Sequence, residues 1–150
     1  MKRIICLFIA THILIGCVSS GRAGHKRIPS QDYYDSAIDV LIIDDRGNRF
    51  ATYPVTSSSR LQKAYLEADE GQHYSIEIIN RSDERIGIVI AVDGRNIITG
   101  KRSKLRSKER MYILDPHQRE LFGGWRSGKN RINRFYFTDA GNSYSASFND

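Results

Sequence analysis

Thiols are scarce in this chain: of 150 residues two are cysteine, Cys6 and Cys17, both near the start. From Val18 onward there is no sulfhydryl, which excludes a disulfide framework, a thiolate metal site and a cysteine nucleophile from the body of the protein. His73 and His117 stand alone, without the close His/Glu spacing of a metal motif. No Gly-x-Ser-x-Gly, His-Glu-x-x-His or phosphate-loop pattern occurs. Long apolar runs are missing too, since none reaches the roughly 20 residues that a membrane-spanning helix needs. No long amphipathic helix, coiled coil or internal repeat is present. These gaps predict a protein that is not an enzyme and holds no cofactor and no metal. Paired carboxylates remain the one exception, because strands bring distant acids together regardless of spacing.

What is present suits one domain. The apolar fraction is 40%, enough to build a core, and the net charge is +6. Lys2 and Arg3 supply two of those six charges, so a chain without them carries +4. That mild basic excess permits contact with anionic lipid, polyanionic glycan or nucleic acid and equally serves ordinary solubility.

The first residues carry the strongest pattern. Lys2 and Arg3 precede an apolar run from Ile4 to Ile15, interrupted by Thr11 and His12, and Leu14-Ile15-Gly16-Cys17 follows. The run has the length of an export leader rather than of a permanent span. Its end resembles the lipobox of bacterial lipoproteins: a branched apolar residue, a tolerated residue, a small residue, then cysteine. The resemblance implies a signal peptide over 1–16, cleavage between Gly16 and Cys17, and fatty acylation (palmitate among the chains) of Cys17. Two or three acyl chains anchor a protein stably where one does so marginally. The partner so implied is a membrane, reached through the N-terminal lipid. Val18 and Ser19 follow the cysteine, not Asp, which by the sorting rule of such lipoproteins favours the outer membrane, facing the periplasm, with exposure at the cell surface as the alternative.

Residues 17–36 are rich in Ser, Gly and basic groups and poor in aliphatics, and read as a lipidated N-terminus with a flexible tether. Arg22, Lys26 and Arg27 would meet lipid headgroups or simply stay solvated. Over 37–150 the pattern is β. Ile38–Ile43, Arg49–Val55, His73–Ile79, Arg85–Val92, Met111–Leu114, Ile132–Thr138 and Tyr144–Phe148 read as strands, with Arg85–Val92 apolar enough for a central one. Asp93-Gly94 is a two-residue hairpin link. Ala64–Ala68 reads as an edge strand, with a short helix from Ser59 as the alternative. Turn signals every eight to twelve residues predict an all-β, antiparallel, sandwich-like single domain.

Several pieces, taken together, resemble an uncharacterised group of exported bacterial β domains. They include Tyr65-Leu66-Glu67-Ala68, Val92-Asp93-Gly94-Arg95-Asn96, Tyr112-Ile113-Leu114-Asp115-Pro116, Gly124-Trp125-Arg126 and Phe135-Tyr136-Phe137-Thr138. The resemblance covers a little over half of the chain and implies an exported β fold, with no activity attached. The stretch between Gly100 and Tyr112 departs from it in being strongly basic.

That stretch holds Lys101, Arg102, Lys104, Arg106, Lys108 and Arg110, relieved only by Glu109. From Arg102 the charges fall on every second residue, so an extended backbone would project them to one side as a cationic comb. A comb of this kind suits the phosphates of envelope polymers or anionic lipid. It lacks interleaved aromatics, so nucleic acid is not expected. The bland reading is a solvated loop, or an edge strand kept from aggregating by its charges. Trp125, the only tryptophan, sits among Gly123, Gly124 and Arg126, as either a ligand contact or a packed loop. Asp93 and Asp115 are explained by turns, and Glu67 by no motif.

The expected protein is a membrane-anchored envelope lipoprotein acting as a non-catalytic binding or structural module. Its contacts to anionic envelope polymer or lipid would be Arg102, Lys104, Arg106, Lys108, Arg110, Trp125 and Arg126. The alternative is a subunit bound to a partner protein in an envelope complex, with an envelope hydrolase a distant third.

Overall fold

The computed structural model describes residues 3–7, 37–58, 61–128, 131–139 and 142. Among them there is no helix, and the strands pair antiparallel into a sandwich-like, all-β domain. In chain order they are β1 (Arg3–Leu7), β2 (Ile38–Asp44), β3 (Thr52–Ser58), β4 (Leu61–Ala68), β5 (His73–Asn80) and β6 (Ile86–Ile88). The second half holds β7 (Ala91–Val92), β8 (Arg95–Asn96), β9 (Tyr112–Leu114), β10 (Arg119–Phe122), β11 (Gly124–Arg126) and β12 (Ile132–Tyr136). The predicted tether and the predicted strand Tyr144–Phe148 lie outside the described residues.

β5 is the central strand because its alternation lets it pack one face. Tyr74, Ile76 and Ile78 turn into the core, while His73, Ser75 and Glu77 are half-buried on the other side. Each buried isoleucine contributes about 1.5–3 kcal/mol by leaving water. β2 runs along one edge of β5, from Ile38 opposite Asn80 to Asp44 opposite Tyr74. The other edge is shared, with β10 pairing up to Phe122 opposite Ile76 and β12 taking over at Phe135 opposite Tyr74. A second layer, ordered β1-β4-β3, sends Leu66 and Ala68 of β4 into the same core. Two short ribbons, β6-β9 and β7-β8, close the rest.

The core holds a run of ring contacts. Phe50 meets Phe137 edge-on, Phe137 and Phe135 each stack against Tyr74, and Trp125 sets its ring at 79° to Phe135. One buried polar side chain is fully tied down. Asn80 is fully buried, and its amide donates to the carbonyls of Glu84 (2.7 Å) and Asp115 (2.9 Å) while its Oδ1 accepts from Ser82. Such full pairing is what makes a buried amide tolerable.

Four expectations need correction. Arg85–Val92 is not one central strand but two short ones, β6 and β7. Its apolar run reports burial of Ile88, Ile90 and Val92, whereas pairing is decided by Asp93 and Gly94, whose φ of 48° and 71° close a tight turn and commit Val92 to Arg95. Residues 119–126, read in part as a glycine-rich loop, are strands β10 and β11. At Gly124 a Cβ would lie 2.2 Å from the carbonyl oxygen of Asn133, so this glycine marks two backbones in close approach. Ala64–Ala68 is a strand as predicted, but it is not at an edge. Arg3–Leu7, assigned above to the leader, lies along it, with Cys6 opposite Tyr65. The fourth correction, the basic stretch, is part of the site.

Candidate functional site

The basic residues 101–110 do not form a strand. Only Arg102 makes a ladder contact, an isolated bridge to Arg95, and the chain then folds into a loop. Alternation without a partner strand leaves backbone donors unmet, and here one acid satisfies them. Glu109 Oε1 accepts from the amides of Lys104 (2.8 Å) and Arg106 (3.1 Å), and Oε2 from the Ser103 hydroxyl (2.7 Å). Burial raises the Glu109 pKa. The bonds from Ser103, Arg106 and Lys104, with help from Asn96, outweigh that and bring it down to about 2. Leu105 takes a φ of 51° so that the loop can wrap its acid, a cost of about 1–2 kcal/mol for a residue with a Cβ.

The loop is pinned at both ends. Ser103 N–H donates to the Gly94 carbonyl, and the Asn96 N–H donates to the Lys101 carbonyl. Asn96 is 2% exposed; its side-chain amide donates to the Arg110 carbonyl at 2.7 Å and its Oδ1 accepts from Ile98 at 2.9 Å. The charged ends stay outside. Lys101, Arg102, Lys104, Arg106, Lys108 and Arg110 are all exposed. Among the described residues none of the six has a carboxylate partner, whereas Arg81, Arg85, Arg119 and Arg134 pair with Asp39, Asp115, Glu77 and Asp45. With its acid spent on its own backbone, the loop concentrates five of the chain's six net positive charges. The cationic surface exists, on a clasped loop and not on a comb.

Trp125 and Arg126 part company. Neighbours on a strand face opposite ways, and Trp125 turns its ring toward Phe135 and the core while Arg126 is exposed. Among the described residues no ring stacks on the Arg126 guanidinium. The Arg126 backbone N–H donates to the Ile97 carbonyl at 2.9 Å, so β11 abuts the frame that carries the basic loop. The sequence reading placed Trp125 on a loop. Its half-burial on β11 was not foreshadowed in the sequence.

The remaining candidates are dispersed. His73 Nδ1 meets the Phe135 carbonyl at 3.0 Å, His117 Nε2 meets Asp83 at 2.9 Å, Asp115 pairs with Arg85, and Asp93 sits in its turn. Among the described residues no three His, Cys, Asp or Glu converge as metal ligands. An open cleft of about 260 Å³ lies beside the β2 turn, lined by Asp44, Arg49, Phe50, Glu67, Asp69 and Gln72. Asp44 there accepts from Asn48 N at 2.7 Å and Arg46 N at 2.9 Å, and those bonds, Asn48's first, hold its carboxyl below the usual range.

Comparison with models of known protein families, with curated proteins and with solved structures finds no match.

Proposed function

We propose that this chain is a lipid-anchored, non-catalytic binding module of the bacterial envelope, which meets anionic polymer or lipid through the loop over residues 101–110. One observation carries the reading: the loop's only carboxylate is held by its own backbone, so six exposed cations stand against one acid on a held frame, with no carboxylate partner among the described residues. Loose surface charges contribute little and are screened within about 10 Å at ordinary salt. Several on one frame add, and a polyanion meets them together. The lipid anchor on Cys17 and an outer-membrane, periplasm-facing address belong to the same reading, supported by the leader pattern and by Val18 and Ser19.

The test replaces Arg102, Lys104, Arg106 and Lys108 by glutamine and measures retention on envelope fractions across a salt series, with mass spectrometry of the native N-terminus. Salt-sensitive retention that the variant abolishes, on a protein acylated at Cys17, is the expected result. Equal retention by both proteins, with a fixed partner recovered by crosslinking, transfers the reading to a subunit of an envelope complex.

A further inference from the structure

The basic loop runs straight into an apolar patch. Tyr112 packs inward, its ring 4.5 Å from that of Phe122. Alternation puts its two neighbours, half-buried Met111 and exposed Ile113, on the other face. Ile113 is 54% exposed, and Gly87 lies opposite it in the β6-β9 ribbon. Gly87 has no side chain to cover its neighbours. The space a Cβ would fill there holds the Met111 sulfur at 2.6 Å, with Ile113 Cδ1 at 3.6 Å. Met111 and Ile113 thus lie side by side over a bare glycine, directly after Arg110. Among the described residues nothing covers Ile113.

We infer that Met111 and Ile113 together with the loop cations form a docking surface for a membrane carrying anionic headgroups, the cations meeting phosphate and Ile113 entering the acyl boundary. This rests on the polyanion reading of the loop and narrows it to a lipid source. Charge complementarity selects the occupant. A soluble polyanion satisfies the cations and leaves the adjoining isoleucine in water, whereas a lipid surface offers phosphate and hydrocarbon within one approach. Protein partners bury such residues too, but a loop of six exposed cations and one acid, leading directly into Met111 and Ile113, favours a dense anionic surface.

The absence of thiols after Cys17 makes the test clean. The full chain with Cys6→Ser and Cys17→Ser carries no acyl anchor, and Ile113→Cys then takes a single environment-sensitive dye. A sister chain carries the dye at Leu121→Cys, a position equally exposed at 55% on a different strand. Vesicles of phosphatidylcholine with or without phosphatidylglycerol are added, and polyphosphate serves as the soluble polyanion. A blue shift at position 113, with phosphatidylglycerol only and not at position 121, is the expected result. Neutralising Arg102, Lys104, Arg106 and Lys108 should weaken that vesicle affinity by about a thousandfold at low salt. Polyphosphate binding with a silent dye at 113 overturns the inference and leaves the polyanion reading standing. A shift at both positions also overturns the inference, because it reports adsorption elsewhere. Failure to bind either polyphosphate or vesicles removes both.

Discussion

The side-chain amide of Asn96 donates to the backbone carbonyl of Arg110 at 2.7 Å, joining the hairpin around Asp93 to the far end of the basic loop. Its Oδ1 serves Ile98 and Thr99, so one buried side chain holds two loop segments together. Asn96→Ala should cost about 1–3 kcal/mol, the range for leaving buried groups unpaired. Urea denaturation measures the loss, and amide exchange should quicken over 101–110 before it does on β5.

Glu109 makes the loop sensitive to acid. Its folded pKa of about 2 lies below the model-peptide value of 4.5, so its ionised bonds favour the clasped loop above pH 4.5. That contribution is lost as pH falls from 4.5 toward 2. Amide shifts of Lys104 and Arg106 should move through that window. In Glu109→Gln they should stay flat, and exchange at these amides should be faster than wild type at neutral pH.

Gly124 admits no substitution. A Cβ at this position meets the Asn133 backbone at 2.2 Å, and backbone does not swing aside as a flexible side chain does. Gly124→Ala should part β11 from β12 and cost about 3 kcal/mol or more, beyond the ordinary range of overpacking. Gly47, with nothing within 4 Å of its Cβ position but a φ of 81°, should cost only about 1 kcal/mol as alanine. Thermal melts of the two variants rank them.

Trp125 is assigned to packing. Its ring edge meets Phe135 at 5.8 Å between centroids, and it is the only tryptophan of the chain. Trp125→Phe should lower stability by about 1–2 kcal/mol and leave salt-dependent polyanion binding unchanged. The native emission should lie toward shorter wavelength and shift red on unfolding. A loss of binding with stability intact would return Trp125 to the contact surface.

The sequence made the fold class legible where alternation and turn chemistry agreed. His73–Asn80 alternates and is the central strand, and Asp93-Gly94 closes the hairpin it predicts. Legibility failed where one signal had two causes. The apolar run Arg85–Val92 looked like a single strand because burial and continuity leave the same composition. Gly123-Gly124 looked like a loop because a glycine needed for room reads the same as one needed for φ. The six cations were visible at once, but their loop was not, since its shape depends on Glu109 reaching amides three and five residues back. Nothing in an alternating charge pattern announces that.

Arg3–Leu7 closes one side of β4. On the lipoprotein reading, peptidase action after Gly16 would carry that segment away, and one edge of Ala64 to Ala68 would lose its neighbour. Export would then deliver a protein whose strand β4 lacks the five register partners it has here. On that reading the mature form would have to meet water, or another strand, along that line.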